Sequence, residues 1–205
     1  MSIKQFNPRV GVLLLFILAA GVLRIAFAKA GAGHLTPLSN FSPIGAMGLF
    51  GGAYFAQKWK SYLFPLLTLL LSDVLINSFF YPNYSSMITG MLYDGWYFTY
   101  LAFAGMVLMG QLIIKKVTVS NVVLAAVAAA FIHWIISDIG PWKFGTIPGT
   151  SQPYAQTFGG FIHCLVMAIP FELNLLYGNL IYGAFFFGTF ELMQRRFPVL
   201  AKQSL

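Results

Sequence analysis

Five runs of the chain are long and apolar enough to cross a bilayer as helices, which takes about 20 mostly apolar residues each. They are Val10–Ala30, Ser61–Phe80, Gly95–Ile114, Val119–Asp138 and Phe171–Gln194, separated by short polar breaks. A sixth run, Pro43–Ala56, is equally apolar but shorter, opened by proline and crowded with glycine in "NFSPIGAMGLFGGAYF". Counted as a span, it predicts an all-α membrane bundle of six transmembrane helices. One more apolar piece, Thr157–Ile169, ends at Pro170. Proline removes a backbone donor and collides with the preceding turn, so a break or kink is expected there. Together with the run after it, this piece is too long for one crossing. It is expected to form an extra short helix in the outer interface.

Composition supports lipid as the solvent. Hydrophobic residues make up 59% of the 205 and charged residues 8%, against roughly 25% charged in soluble domains. No repeat, heptad run or linker divides residues 1–205, so the chain reads as a single transmembrane domain. The net charge of +7 is chiefly an orientation signal. Nine of the twelve basic residues flank the runs on one side: Lys4, Arg9, Lys58, Lys60, Lys115, Lys116, Arg195, Arg196 and Lys202. The positive-inside rule makes that side cytoplasmic, with both termini on it. Asp94 and Asp138 fall at the opposite surface. Nucleic acid is not an expected partner. The first 30 residues imitate a secretory signal, but the charge pattern needs them as a retained span. The lone Cys164 excludes an intrachain disulfide.

Polar residues in the runs gather at one depth. Arg24 lies in the outer half of the first run, and Asp73 and Asn77, four apart, share a helical face. His133, Trp134 and Asp138 close the run Val119–Asp138; Glu172 and Asn179 are seven apart in Phe171–Gln194, with Asn174 near them. Asn40 precedes the glycine-rich run, Trp96 opens the run Gly95–Ile114, and His163 and Cys164 belong to the short outer piece. The inner halves are stretches such as "GVLLLFILAA" and "IYGAFFFG". A channel or self-sufficient pump should carry polar groups through the midplane. This distribution predicts a cup open to the outside over an apolar floor. Each member also has a structural reading. Arg24 can snorkel or pair with Asp73, Ser72 and Asp73 can bond nearby backbone, the histidines can be structural donors, and the tryptophans can form an interfacial belt. The outer loops Gly31–Ser42, Tyr81–Asp94 and Ile139–Gln156 are either functional or plain connectors.

The stretches "SNFSPIGAMGLFGGAYF", "FPLLTLLLSDVLIN" and "AIPFELNLLYGNLIYGAFFFG" resemble a little-characterised family of small bacterial membrane proteins. Its members share an Asn-Phe-Ser/Thr-Pro opening, a Leu-Phe-Gly-Gly-Ala core and a Ser-Asp pair in the next helix. In architecture that family resembles the substrate-binding S components of energy-coupling-factor (ECF) vitamin transporters. The resemblance implies a six-helix, multi-pass protein of the bacterial cytoplasmic (inner) membrane, binding a vitamin-like molecule from outside. It also implies partners, a transmembrane coupling subunit and ATPases. S components dock that subunit through small-residue patches, typically Ala-x-x-x-Ala on the first helix. Ala26 and Ala30 have the spacing but lie near the outer end.

Gly48, Gly52 and Ala56 recur every four residues, a ridge that allows close helix approach. It serves either internal packing or docking of the coupling partner. The expected ligand site is Arg24, Asn40, Asp73, Asn77, Trp96, His133, Trp134, Asp138, His163, Glu172 and Asn179. With the aromatics Phe41, Tyr93, Tyr97 and Trp142, it suits a flat or amphiphilic molecule. Cobalamin is one candidate, because His133, His163 and Cys164 could supply an axial ligand to a corrinoid cobalt. No resident cofactor and no catalytic residue are expected, since GxSxG, HExxH, CxxC and phosphate-loop patterns are absent. Two other classes stay open: a membrane assembly protein without ligand, and a metal enzyme or metal transporter built on His133, His163, Asp138 and Glu172.

Overall fold

The computed structural model describes residues 7–30, 39–80 and 92–201. Lys4, Lys202 and most of the first two outer loops lie outside them. The described residues are helical except for turns and one isolated bridge between Thr146 and Pro153. The helices are α1 (Pro8–Ala30), α2 (Ile44–Tyr54), α3 (Lys58–Phe79), α4 (Trp96–Ile113), α5 (Val119–Ser137), α6 (Ile139–Phe144) and α7 (Phe158–Arg196). A 3-10 turn, Pro198–Leu200, follows. Five of these segments are long and apolar enough to cross a membrane, α6 continuing the segment begun by α5. The protein is a multi-pass membrane protein.

The sixth expected span is something else. At about 16 Å, α2 is half the length of a crossing, and ten of its eleven residues are buried. It packs against α1, α3, α4 and α7 and is the hub of the bundle. Its glycines explain how. A Cβ on Gly52 would stand 2.3 Å from the Val107 carbonyl oxygen, and one on Gly110 of α4 would stand 2.5 Å from the Leu49 carbonyl oxygen. The two backbones therefore touch, as small residues permit in lipid. This corrects one expectation: Gly48 and Gly52 are buried against α4 of the same chain and offer no free face to a partner. Ala56 lies beyond the helix end, exposed.

A second correction concerns Pro170. No break occurs there: α7 is one helix of 39 residues, about 58 Å long and nearly twice the hydrocarbon thickness. It starts where the sequence indicated, at Thr157, whose hydroxyl oxygen accepts from Gly160 N–H at 3.2 Å. The part before Pro170 is no separate interfacial helix. It is tethered laterally: Trp134 Nε1 donates to the Leu165 carbonyl at 3.0 Å, and Cys164 Sγ lies 3.7 Å from the Asp138 carbonyl.

Both described ends of the chain meet at one end of the bundle. Arg9 donates to Gln194 Oε1 (3.0 Å), to the Leu200 carbonyl (2.5 Å) and to the Tyr54 carbonyl (3.3 Å). Tyr54 O–H donates to Glu191 Oε1 at 2.6 Å, which also accepts from Gln194. In the sequence Arg9 is an orientation charge like the other flanking basic residues, and nothing there marks it as the centre of this network. Above it stands an aromatic cluster. Phe50 stacks on Phe16 at 5.2 Å and meets Phe186, Phe187 and Phe190 edge-on at 5.5–5.9 Å.

Candidate functional site

At the opposite end, the termini of α2, α4 and α5 leave a hollow between α1 and α7. Segment 39–42 leads into α2 and is fastened to α7. Asn174 Nδ2 donates to the Ser39 carbonyl at 2.9 Å, and Gly178 leaves room for Ser42 O, which a Cβ there would approach to 2.8 Å. Asn40 takes a left-handed φ of 68° in this turn, a conformation asparagine tolerates better than most residues. Across the hollow, α6 folds over the start of α4 so closely that a Cβ on Gly95 would stand 2.9 Å from Gly140 Cα. Gly95 also needs its φ of 78°, so both position and conformation call for glycine. Residues 145–157 are stapled rather than loose. Ile147 N–H donates to the Gln152 carbonyl (2.9 Å), Trp142 Nε1 to the Ala155 carbonyl (2.9 Å) and Gln156 Nε2 to the Trp142 carbonyl (2.7 Å).

The cavity so formed has a volume of about 370 Å³. Arg24, Asn40, Tyr93, Thr99, His133, Asp138 and Glu172 contribute polar groups, and Ile44, Phe103, Phe171 and Leu175 an apolar base. Exposed Asn40 and Pro141 mark where it meets the surface. On one wall Arg24 pairs with Asp73 and donates to Ser72 Oγ at 2.8 Å. Asp73 is itself buried and accepts from Tyr100 O–H at 2.9 Å. Burial first, then the Asp73 charge, holds the Tyr93 phenol above its ordinary value, so it stays a neutral hydroxyl beside Thr99. On the facing wall His133 Nδ1 lies 3.0 and 3.1 Å from the two Glu172 carboxylate oxygens. Phe103 meets the His133 ring edge-on at 5.0 Å. Asp138 Oδ2 is buried and has no hydrogen-bond partner among the described residues.

Of the eleven residues expected at a ligand site, five line this cavity: Arg24, Asn40, His133, Asp138 and Glu172. Asp73 reaches it only through Arg24. Asn77 is buried one turn further along α3. Trp96 packs against Tyr100 at 5.1 Å. Trp134 faces a separate groove of about 210 Å³ between α5 and α7, where Glu172 is the one residue shared with the cavity. His163 is exposed and lies against the Tyr154 ring at 5.7 Å. Asn179 is fully buried below Leu175, against Gly45, and its side-chain amide has no partner among the described residues. Phe41 turns away to Tyr182 and Trp142 to Phe161. Of the three candidate axial ligands, His133 alone lines the cavity. Among the described residues no group of three His, Cys, Asp or Glu is arranged to hold a metal ion. Ser39, Ser42, Thr99 and Ser137 line the cavity without having been singled out, because small hydroxyl residues at helix ends look like ordinary caps.

The model of a family described as "Family of unknown function (DUF6580)" matches residues 4–200. The chain belongs to that family. No curated protein and no solved structure matches it.

Proposed function

We propose that this protein is a solute receptor of the bacterial cytoplasmic membrane. It captures a vitamin-sized molecule from the external face and depends on a coupling partner for any transport, in the manner of an ECF S component. The observation that carries the reading is the cavity itself. A hollow of about 370 Å³ falls within the range of small-molecule sites, roughly 300–1,000 Å³. Its apolar base and few convergent polar groups have the usual composition of such sites. Beneath it, the Phe16–Phe50–Phe186–Phe190 cluster and the Arg9–Tyr54–Glu191 network stand in the way of a solute. Orientation is read from charge: Arg9, Lys58, Lys60, Lys115, Lys116, Arg195 and Arg196 all flank helix ends at the face opposite the cavity, the cytoplasmic one by the positive-inside rule.

The volume favours a ligand much smaller than a corrinoid, so cobalamin is not carried forward. Native mass spectrometry of the protein extracted from membranes tests the reading. A retained small molecule, lost when Ala168→Phe fills the cavity, is the expected result. A protein of unaltered mass, whose unfolding temperature no small-molecule extract of the cells shifts, would sink it.

A further inference from the structure

Building on the receptor reading, we propose that the cavity selects a small organic amine, whose protonated nitrogen pairs with the Asp138 carboxyl group while its apolar body lies on Phe103 and Leu175. Arg24 is the only arginine or lysine that the described residues place on the lining, and Asp73 already pairs with it. Glu172 is engaged by His133. Asp138 is 8% exposed, and its Oδ2 has no partner among the described residues. Its neighbours supply none: Cys164 Sγ is directed at the Asp138 backbone carbonyl, and Glu172 adds like charge.

Burial and the neighbouring Glu172 charge both weigh against a carboxylate at Asp138 in the empty cavity, and a ligand ammonium is the group that offsets both. An anionic ligand would meet two acids and a guanidinium already neutralised. A bare metal ion would find no third protein ligand among the described residues and would leave most of the 370 Å³ and its apolar base unused. An ammonium on an apolar skeleton uses both features. The paired hydroxyls of Tyr93 and Thr99 also line the cavity, where their remaining lone pairs can meet a second polar group.

The test uses the full chain in detergent and a matched pair of probes, 2-phenylethylamine and 2-phenylethanol, measured by equilibrium dialysis. The amine should bind more tightly than the alcohol. Asp138→Asn keeps shape and has no hydrogen bond at Oδ2 to lose. It should weaken the amine about ten- to hundredfold, the range of a charge-assisted hydrogen bond, and leave the alcohol unchanged. If that variant does not fold, Glu172→Gln, which removes the neighbouring charge, should weaken the amine selectively. Equal binding of amine and alcohol that Ala168→Phe abolishes would overturn the amine inference and leave the receptor reading standing. Amine binding that survives Ala168→Phe would overturn both, as would no measurable amine binding at millimolar concentration together with no native ligand.

Discussion

Gly48 and Gly52 look interchangeable in the sequence, one helical turn apart on the same ridge, yet the structure predicts opposite outcomes when each is changed to alanine. A Cβ on Gly48 would meet its nearest neighbour, Val107 Cγ2, at 3.6 Å, ordinary van der Waals contact. Nothing has to move. The substitution then gains the helix propensity of alanine over glycine, about 0.5–1 kcal/mol. A Cβ on Gly52 would stand 2.3 Å from Val107 O and 3.1 Å from Gln111 N and Gly110 Cα. These are backbone atoms of α4, which cannot swing aside as a side chain could. Restoring contact at about 3.4 Å would push α2 and α4 apart by about 1 Å. Overpacking of that kind costs about 1–3 kcal/mol. In a chain of this size, 1 kcal/mol moves the midpoint by about 2–4 °C. Gly48→Ala should therefore unfold at the same temperature as the parent or a few degrees higher, and Gly52→Ala several degrees lower. The chain carries its own reporter, since the one cysteine, Cys164, is 2% exposed. A thiol-reactive fluorophore will label it only as the bundle opens during a temperature ramp. Equal shifts for the two variants would refute the register assigned to α2 and α4.

Three further outcomes follow from the polar groups. Arg24→Ala leaves Asp73, whose side chain is 3% exposed, without its cation. A loss of about 3–5 kcal/mol is expected, and the apolar pair Arg24→Met with Asp73→Leu should recover most of it; thermal unfolding of the single and double variants checks both. Tyr54→Phe removes the 2.6 Å hydrogen bond to Glu191 and should cost about 1.5–3 kcal/mol while leaving ligand retention untouched, because the cavity lies at the other end. With Cys164 replaced by serine, a cysteine at Lys116, which is exposed in the turn between α4 and α5, should react with a membrane-impermeant maleimide only after cells are opened; labelling in intact cells would invert the orientation.

Much of the fold was legible because one physical rule dominates it. A backbone crossing lipid must satisfy its own hydrogen bonds, so apolar runs of sufficient length announce helices, and the boundaries expected for the α4 and α5 runs differ from those observed by a residue at most. Hydropathy fails where lipid and protein interior look the same to a side chain. Nothing in "IGAMGLFGGAY" distinguishes a helix wrapped by lipid from one wrapped by other helices, so the burial of α2 was illegible although its shortness was not. Pro170 misled for a different reason. The propensity argument is local, whereas α7 is held on both sides of the proline by tertiary tethers at Trp134, Cys164 and Asn174. Depth proved a better guide than identity at the site. Arg24, His133, Asp138 and Glu172 converge as their common level implied. Asn179, seven residues along the face of Glu172, falls below the floor instead, into the space that Gly45 leaves.

The geometry of α2 also bears on whether such a receptor could work alone. The helix begins with Ile44 in the base of the cavity and ends with Tyr54 in the hydrogen-bond network at the far end. Between them Phe50 is fully buried and touches aromatic rings from α1 and α7. A solute leaving toward the far end would have to displace Phe50, and with it a helix whose glycines lock onto the α4 backbone. It would also have to part Arg9 from the carbonyls of Tyr54 and Leu200. The ring contacts are buried and the Arg9 hydrogen bonds partly so. On the proposed receptor reading, the work of releasing a solute inward would be supplied by a partner. Because the glycine ridge is occupied internally, a partner of the proposed kind would act on the exposed apolar faces of the helices around α2, or on the exposed turns at the terminal end, and not on α2 itself.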